Sequence, residues 1–207
     1  VCCGNNARLL KEEAENKGTK AVFFETKEEA AEYLDKKIDG QLVGFGDSET
    51  LNSLKLFERL SAHNEVWDPQ HRPDGMTFNE VGKKVLVTDI YFTSVNGMTE
   101  TGELINIDGV CNRISETLFG HKKVFFVIGS NKIALDYDAA LFRARNTAAP
   151  LNARRLNKQT PCALGSEVKC YDCQSPNRIC KGMTVFTRKL GGVGDMEVMI
   201  INEELGY

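Results

Sequence analysis

The sequence predicts an α/β fold whose central sheet is mostly parallel. Apolar runs with the composition of strands alternate with segments of helical periodicity along most of the chain. Two of these runs, residues 85–92 and 123–128, are apolar almost throughout, which is typical of strands buried on both faces. The residues between them are dense in polar side chains and glycine. This is expected at the carboxyl edge of a parallel sheet, where α/β proteins bind small ligands.

The composition is that of an ordinary globular protein. With 207 residues, of which 42% are hydrophobic and 27% charged, the chain can form one sizeable core, and we expect a single domain over residues 1–207. The net charge of -3 provides no basic surface, so nucleic acid is not an expected partner. No apolar run is long enough to span a membrane. No signal peptide is recognised, and the seven cysteines favour a reducing compartment, so we expect a cytoplasmic protein.

Helices and strands are expected to alternate up to the central strand. In order, the sequence predicts a helix over residues 7–17, a strand over 21–24, a helix starting at Thr26, a strand over 41–45, a helix reaching about Leu60, a short strand over 66–67 and a helix over 76–84. Thr26 and Glu29 have the spacing of a capping box. Asp47 or Ser48 is suited to cap the helix that reaches Leu60.

The second half of the chain continues this pattern and then becomes irregular. The sequence predicts the central strand over residues 85–92, a helix over 110–119, a strand over 124–128, a helix over 136–147, further helical turns over 151–156, an irregular segment over 162–180 and a last strand over 196–201. Within this half, residues 160–182 form a cysteine-rich segment of the same domain.

A glycine-bearing turn over residues 44–50 is the first candidate ligand site. A strand precedes it and a helix follows it, so Gly44 and Gly46 would allow close approach of a ligand to backbone N–H groups at the helix start. Asp47 and Ser48 would add polar contacts. The turn lacks both the full dinucleotide fingerprint and the Walker lysine. A plain strand-to-helix turn that requires glycine is the alternative.

The polar segment over residues 93–113 is the second candidate. A carboxylate beside an arginine can act as a general base next to an anion clamp, and this segment contains Glu100, Asp108 and Arg113. The alternative is a surface hairpin, because the residues after Glu100 have turn composition and residues 104–107 alternate like a half-exposed strand. The ligand-binding residues that we expect at this edge of the sheet are Gly44, Gly46, Asp47, Ser48, Asn96, Asn106, Arg113, Asn131 and Lys132.

Four cysteines give the strongest chemical signal in the chain. Cys162, Cys170, Cys173 and Cys180 lie within nineteen positions and include one Cys-x-x-Cys pair. Four thiolates suit the tetrahedral coordination of zinc or the anchoring of an iron–sulfur cluster, and the spacing does not choose between them. We expect the four residues to converge on one metal centre. Free or disulfide-linked thiols are the alternative.

Several stretches of the chain resemble the lactate-utilisation (LUD) domain family. They are residues 43–51, 93–109, 112–113, 129–133, 148–153, 160–162, 170–180 and 198–207. The cysteine-bearing tail is similar to that of the short, stand-alone branch of the family. The resemblance implies a fold related to ribose-phosphate isomerases, glucosamine-phosphate deaminases and CoA transferases. The loop over residues 106–109 resembles the Asn-Lys-Ile-Gly loop of sugar-phosphate isomerases but lacks its lysine.

The resemblance implies a role in the oxidation of lactate or related 2-hydroxyacids. The protein would be a redox-associated enzyme or accessory that binds a small anionic ligand and has an iron–sulfur oxidoreductase as a possible partner. Arg113 and Lys132 would hold the anion, and Glu100 or Asp108 would handle a proton. One alternative is a non-catalytic scaffold that carries a metal or cluster for a partner oxidoreductase. A further alternative is an enzyme similar to sugar-phosphate isomerases.

Overall fold

The computed structural model describes the backbone of residues 3–207 and the side chains of residues 10–207. The strands are β1 (Lys20–Phe24), β2 (Leu42–Phe45), β3 (Glu65–Trp67), β4 (Ile90–Thr93), β5 (Gly97–Thr99), β6 (Leu104–Asp108), β7 (Lys123–Gly129), β8 (Ile133–Ala134), β9 (Gly182–Phe186) and β10 (Asp195–Ile201). The α-helices are α1 (Cys3–Asn16), α2 (Lys27–Lys37), α3 (Glu49–Ser53), α4 (Leu56–Leu60), α5 (Phe78–Val85), α6 (Asn112–Ser115), α7 (Tyr137–Arg143), α8 (Ala149–Arg155) and α9 (Pro161–Leu164).

The central sheet contains six parallel strands in the order β1-β10-β7-β4-β2-β3, which confirms the predicted fold class. Strand β7 lies inside the sheet. Its Phe125 and Val127 join the core on one face, and its Val124, Phe126 and Ile128 join the core on the other. Because both faces are covered, the strand is apolar throughout instead of alternating.

Capping boxes begin two of the helices that flank this sheet. The one predicted at α2 is confirmed, since Thr26 Oγ1 accepts a hydrogen bond from the Glu29 N–H (3.2 Å) and Glu29 Oε2 accepts one from the Thr26 N–H (3.4 Å). Thr77 and Glu80 form a second box at α5, which the sequence analysis did not predict. In both cases, side chains satisfy backbone donors that the first helical turn leaves free.

A second sheet of four strands, in the order β8-β5-β6-β9, packs against one face of the central sheet. Its Met98 and Phe186 belong to the same core as Phe126. Its other face is covered by α7 and by a π-helical segment (Ala144–Ala148), which contact Ile105. The expectation of a half-exposed surface hairpin is therefore wrong: β5 and β6 form a hairpin, but one that is enclosed between two layers.

Three predicted elements have different bounds in the structure. The helix expected to reach Leu60 is divided into α3 and α4 by Lys55, whose positive φ of 53° is not helical. The expected strand over residues 85–92 begins only at Ile90, because Val85 ends α5 and Val87 is 74% exposed. The helix expected over residues 110–119 is confined to α6. No helix within residues 3–207 is both long and apolar enough to cross a bilayer.

Candidate functional site

The loops at the carboxyl ends of β2, β4 and β7 meet through buried hydrogen bonds. Lys132 follows β7 and is 3% exposed. Its Nζ donates to Thr50 Oγ1 (2.8 Å) in the loop after β2, and to Ser94 Oγ (3.0 Å) in the loop after β4. These contacts join the first and second candidate segments, which are far apart in sequence, at one edge of the sheet.

Arg113 ties the third loop, after β6, to the same edge. Its guanidinium donates to Asn106 Oδ1 (2.7 Å), to the Ile107 carbonyl (2.8 Å) and to Asn96 Oδ1 (3.2 Å). Arg113 Nε also lies 3.8 Å from Asp108 Oδ2. Since most of its donors already have protein partners, Arg113 acts first as a clamp between loops and has little capacity left for a ligand.

A cleft of about 290 Å³ opens above this clamp. Its walls include Asn96, Asp108 and Arg113 on one side, and Lys158, Arg178 and Lys181 from the later part of the chain on another; Asp47 also lines it. The cleft therefore lies where the sequence predicts a site, but half of its polar wall comes from residues that were not predicted.

Two lysines of the cleft wall carry unbalanced positive charge. Within residues 10–207, neither Lys158 nor Lys181 forms a side-chain hydrogen bond or an ion pair. Asp47, which also lines the cleft, is already paired with Arg155 Nη2 (3.0 Å). The two ammonium groups are thus available to an anionic ligand.

Asp108 places a carboxylate oxygen without a hydrogen bond at the cleft. Its Oδ1 accepts the Gly109 N–H (2.6 Å), whereas its buried Oδ2 has no hydrogen-bond partner in the described part of the chain. The 3.8 Å separation from Arg113 Nε is too long for a hydrogen bond, although the opposite charges still attract. The Asn106 side chain, which is fully buried, likewise leaves its Nδ2 unpartnered. Buried polar atoms without a partner are uncommon in folded proteins.

The glycines of the first candidate loop have a packing role. A Cβ on Gly46 would lie 2.4 Å from Tyr91 Oη and 3.1 Å from Arg113 Cγ, so glycine makes room for the clamp. A Cβ on Gly44 would lie 2.6 Å from side-chain atoms of Thr88 and Val85. Neither glycine lines the cleft. The structure thus provides a physical reason for both glycines that does not involve a ligand.

Five other predicted site residues lie outside the cleft wall, namely Asn106, which contacts Arg113, and Ser48, Glu100, Asn131 and Lys132. Ser48 is buried and caps α3, with its Oγ accepting the Leu51 N–H (3.4 Å). Glu100 lies in the β5–β6 turn. Asn131 accepts the Leu205 N–H (3.1 Å) and so fastens the segment after β10. Lys132 lies beneath the cleft.

Lys132 is held in an environment that disfavours its charged form. Burial lowers the pKa of its ammonium group well below the ordinary value, and the nearby positive charges of Arg143 and Arg113 lower it further. Burial also lowers the pKa of Arg143 to about 10. The two hydroxyl partners of Lys132 carry no charge to offset this effect. The charged form of Lys132 is therefore disfavoured, and its hydrogen bonds to Thr50 and Ser94 hold the neighbouring segments together.

The four cysteines predicted to bind metal line one small apolar cavity. Cys162, Cys170, Cys173 and Cys180 all contribute to its wall, and its volume is about 20 Å³. All four are free thiols and partly buried. Within residues 10–207, however, no three Cys, His, Asp or Glu side chains are arranged closely enough to hold a metal ion. The metal centre therefore stays a prediction.

Arginine side chains hold the irregular cysteine segment in place. Arg154 Nη2 donates to the carbonyls of Gly165 and Glu167, both at 2.8 Å. Arg178 donates to the Cys173 carbonyl (2.8 Å) and, through Nε, to the Cys180 carbonyl (3.0 Å). Because a guanidinium offers five donors in a fixed plane, it can replace the regular hydrogen bonds that this segment lacks.

Lys158, Arg178 and Lys181 were missed by the sequence analysis. All three lie in or next to the cysteine-rich segment, which we interpreted only as a source of thiols. Basic residues close to a cysteine motif could have indicated that this segment contributes to the cleft. Nothing in the local sequence, however, indicates that this segment faces the loops after β4 and β6.

The fold and the cleft define an α/β protein with a polar cleft at the carboxyl edge of a parallel sheet. A crystal structure of a DUF162 family protein from Deinococcus radiodurans has a similar fold, with a TM-score of 0.58 and 9% sequence identity, over 97% of this chain and 99% of that chain. The family model of the LUD domain matches residues 7–201. The chain belongs to the LUD-domain family, which associates it with lactate utilisation at the level of the family. No curated protein matches its sequence.

Proposed function

We propose that the protein binds a small carboxylate or phosphate ligand in the cleft, and that it serves 2-hydroxyacid utilisation as a redox-associated enzyme or accessory. The observation that carries this proposal is that Lys158 and Lys181 line the same cleft as Arg113 and have no ion-pair partner within residues 10–207. A cleft of about 290 Å³ suits a metabolite of modest size. Membership of the LUD-domain family supports the metabolic context.

Each polar group of the cleft has a distinct part in this proposal. Lys158 and Lys181 hold the anionic group of the ligand by charge-assisted hydrogen bonds. Asp108, whose buried Oδ2 has no hydrogen-bond partner within residues 10–207, turns this oxygen toward a ligand hydroxyl and accepts its hydrogen bond or its proton. Arg113 keeps Asp108 and Asn96 in position. Oxidation of a hydroxyl to a carbonyl releases two electrons and two protons, so an oxidoreductase partner would have to take up the electrons.

Calorimetric titration of the Lys158→Met/Lys181→Met double variant with lactate and with inorganic phosphate tests the binding role. Loss of two charge-assisted hydrogen bonds, each worth about 1.5–3 kcal/mol, should weaken binding by roughly a hundredfold or more. The control is Lys20→Met/Lys83→Met, which removes the same charge from two exposed lysines that do not line the cleft. Equal affinities in the two variants would contradict the proposal.

The shared cysteine cavity favours a second candidate, a non-catalytic scaffold that carries a metal or cluster for a partner oxidoreductase. Anaerobic purification followed by assay with lactate and an artificial electron acceptor separates the candidates. Turnover that is lost in Asp108→Asn supports the enzyme. Absence of turnover, together with co-purification of an iron–sulfur protein, supports the scaffold.

A further inference from the structure

The cysteine cavity has the residues of a thiolate site that is not yet closed around an ion. Four thiols reach one cavity, one from α9 and three from the irregular segment that follows it, although that segment contains no strand or helix before β9 to bring them there. The arginine clamps described above hold their backbone. Because the backbone around the four thiols is fixed by so many hydrogen bonds, their meeting at a single apolar cavity is poorly explained by chance.

Hydrogen bonds to sulfur indicate how the thiols could act as anions. The Asp172 N–H donates to Cys170 Sγ (3.3 Å), and Arg178 Nε donates to Cys180 Sγ (3.1 Å). Bonds of this kind stabilise thiolate sulfur and are the outer contacts that tune metal–thiolate sites. A sulfur that accepts one N–H still has lone pairs to donate to an ion. Cys162 Sγ is hydrogen-bonded to Thr160 Oγ1 (3.3 Å). This contact is weaker, and rotation of the Cys162 side chain can break it.

The charges around the cavity partly offset those of a divalent ion bound to four thiolates. Such a centre has a net charge of about -2. Burial of an ionic centre in an apolar wall is costly unless opposite charges accompany it. Arg145 and Arg178 both line the cavity, and both also pair with the single carboxylate of Asp172 (3.3 and 3.2 Å). The two guanidinium groups therefore leave a net positive charge beside the thiols.

We propose that Cys162, Cys170, Cys173 and Cys180 bind a single thiophilic divalent ion of the zinc class. The thiols turn inward onto the ion from their present positions, in which no three ligands are yet close enough to hold one. A cavity of about 20 Å³ has room for about one water-sized particle, which suits one ion better than an iron–sulfur cube. The size of the cavity is the reason for proposing a single ion, a choice that the cysteine spacing leaves open.

The ion would also stiffen the ligand cleft, because the two cavities share a wall. Ala149, Arg178 and Ile179 line both. Binding of the ion draws Cys173 and Cys180 together and so fixes Arg178, which donates to the carbonyls of both residues. This inference does not depend on whether the cleft is catalytic or only a binding site.

The test uses the full chain, prepared anaerobically with reductant and zinc and then freed of unbound metal by gel filtration. We expect about one zinc per chain by elemental analysis, and Co²⁺ in its place should give intense thiolate-to-metal absorption. Cys173→Ser should lose both signals. Cys111→Ser is the matched control, since Cys111 does not line the cavity, and it should keep both.

Three outcomes would overturn the proposal. The first is wild-type protein that retains no zinc and shows no Co²⁺–thiolate bands. The second is iron and sulfide in near-equal amounts with a broad visible spectrum, which would indicate a cluster. The third is equal zinc loss in Cys111→Ser and Cys173→Ser. Because the Co²⁺ spectrum is measured on the wild-type chain, the proposal can be tested even if Cys173→Ser does not fold.

Discussion

Replacement of Arg113 by methionine should destabilise the protein strongly, because this side chain joins helix α6 to strand β6 and to the loop between β4 and β5 at the floor of the cleft. Its hydrogen bonds to Asn106, Ile107 and Asn96 span 2.7–3.2 Å, and Asn106 is fully buried. Hydrogen bonds from a charged donor contribute about 1.5–3 kcal/mol each, although neighbouring ones are not additive. Loss of the guanidinium also leaves the largely buried Asp108 carboxylate without its opposite charge. Together we expect a loss of about 3–5 kcal/mol in the free energy of unfolding.

Thermal and urea unfolding, followed by circular dichroism, can measure this loss. For a chain of this length, about 2–4 °C of Tm is lost per kcal/mol, so Arg113→Met should lower Tm by roughly 6–20 °C. Arg188→Met is the matched control, because Arg188 is exposed and, within residues 10–207, its side chain donates a hydrogen bond only to the Asn16 carbonyl (3.1 Å). It should change stability by no more than about 0.5 kcal/mol.

Arg113→Lys adds a second comparison. A single ammonium group cannot make the forked contacts of a guanidinium, so lysine should restore less than half of the loss. The clamp would be refuted if Arg113→Met unfolded within about 1 kcal/mol of Arg188→Met. It would also be refuted if lysine restored full stability.

Two further predictions concern a close backbone approach and a buried amine. Gly97→Ala should lower the free energy of unfolding in urea by about 1–3 kcal/mol, because the added Cβ would lie 2.6 Å from the Ala140 carbonyl oxygen. Gly82→Ala in helix α5 should raise it by up to about 1 kcal/mol, because no atom lies within 4 Å of the added Cβ. A change of the same sign in both variants would contradict this reasoning. Burial lowers the pKa of Lys132 in the folded state, so the unfolded chain binds more protons between that pKa and about 10.4, and stability should rise with pH across this window. In Lys132→Met, the free energy of unfolding in urea should rise less steeply with pH than in the wild type. An unchanged slope of this free energy against pH would show that another group causes the rise.

Local signals in the sequence predicted the local structure well. The capping box at Thr26 depends on two side chains three residues apart, so the sequence contains all the necessary information. The apolar run of β7 likewise predicts a strand with two covered faces, because burial on both sides leaves no polar alternation. These features require no knowledge of distant parts of the chain.

The sequence did not predict features that depend on pairing between segments far apart in the chain. Strand β9 is short and mostly half-exposed, and it becomes a strand by pairing with β6, more than seventy positions earlier in the chain. The apolar residues 85–87 were assigned to a strand because short apolar runs do not distinguish strand from helix. In the structure, Val85 ends α5 and Val87 faces solvent.

The same distinction applies to the candidate site. Asp108, Arg113 and Asn96 could be placed together because all three lie in one polar segment that follows the central strand of the predicted sheet. Lys158 and Lys181 could not, since the loops that contain them reach the cleft by an irregular path fixed by arginine contacts. Lys132 was predicted to contact the anion, but its burial beneath Thr50 and Ser94 is a property of packing and not of sequence pattern.

The position of β10 constrains the order in which this protein can assemble. Strand β10 lies between β1 and β7, yet its residues follow their partners in β1 by 177 positions, as in the pair Lys20 and Glu197. Within residues 3–207, β1 has no other neighbour in the sheet, so it cannot be paired until β10 has been synthesised. On the ribosome, β7 would meanwhile present an open edge, which other chains can pair with. The central sheet therefore cannot be completed before β10 emerges, its folding should be slow for the size of the domain, and nascent chains of this protein should depend on chaperones that shield strand edges.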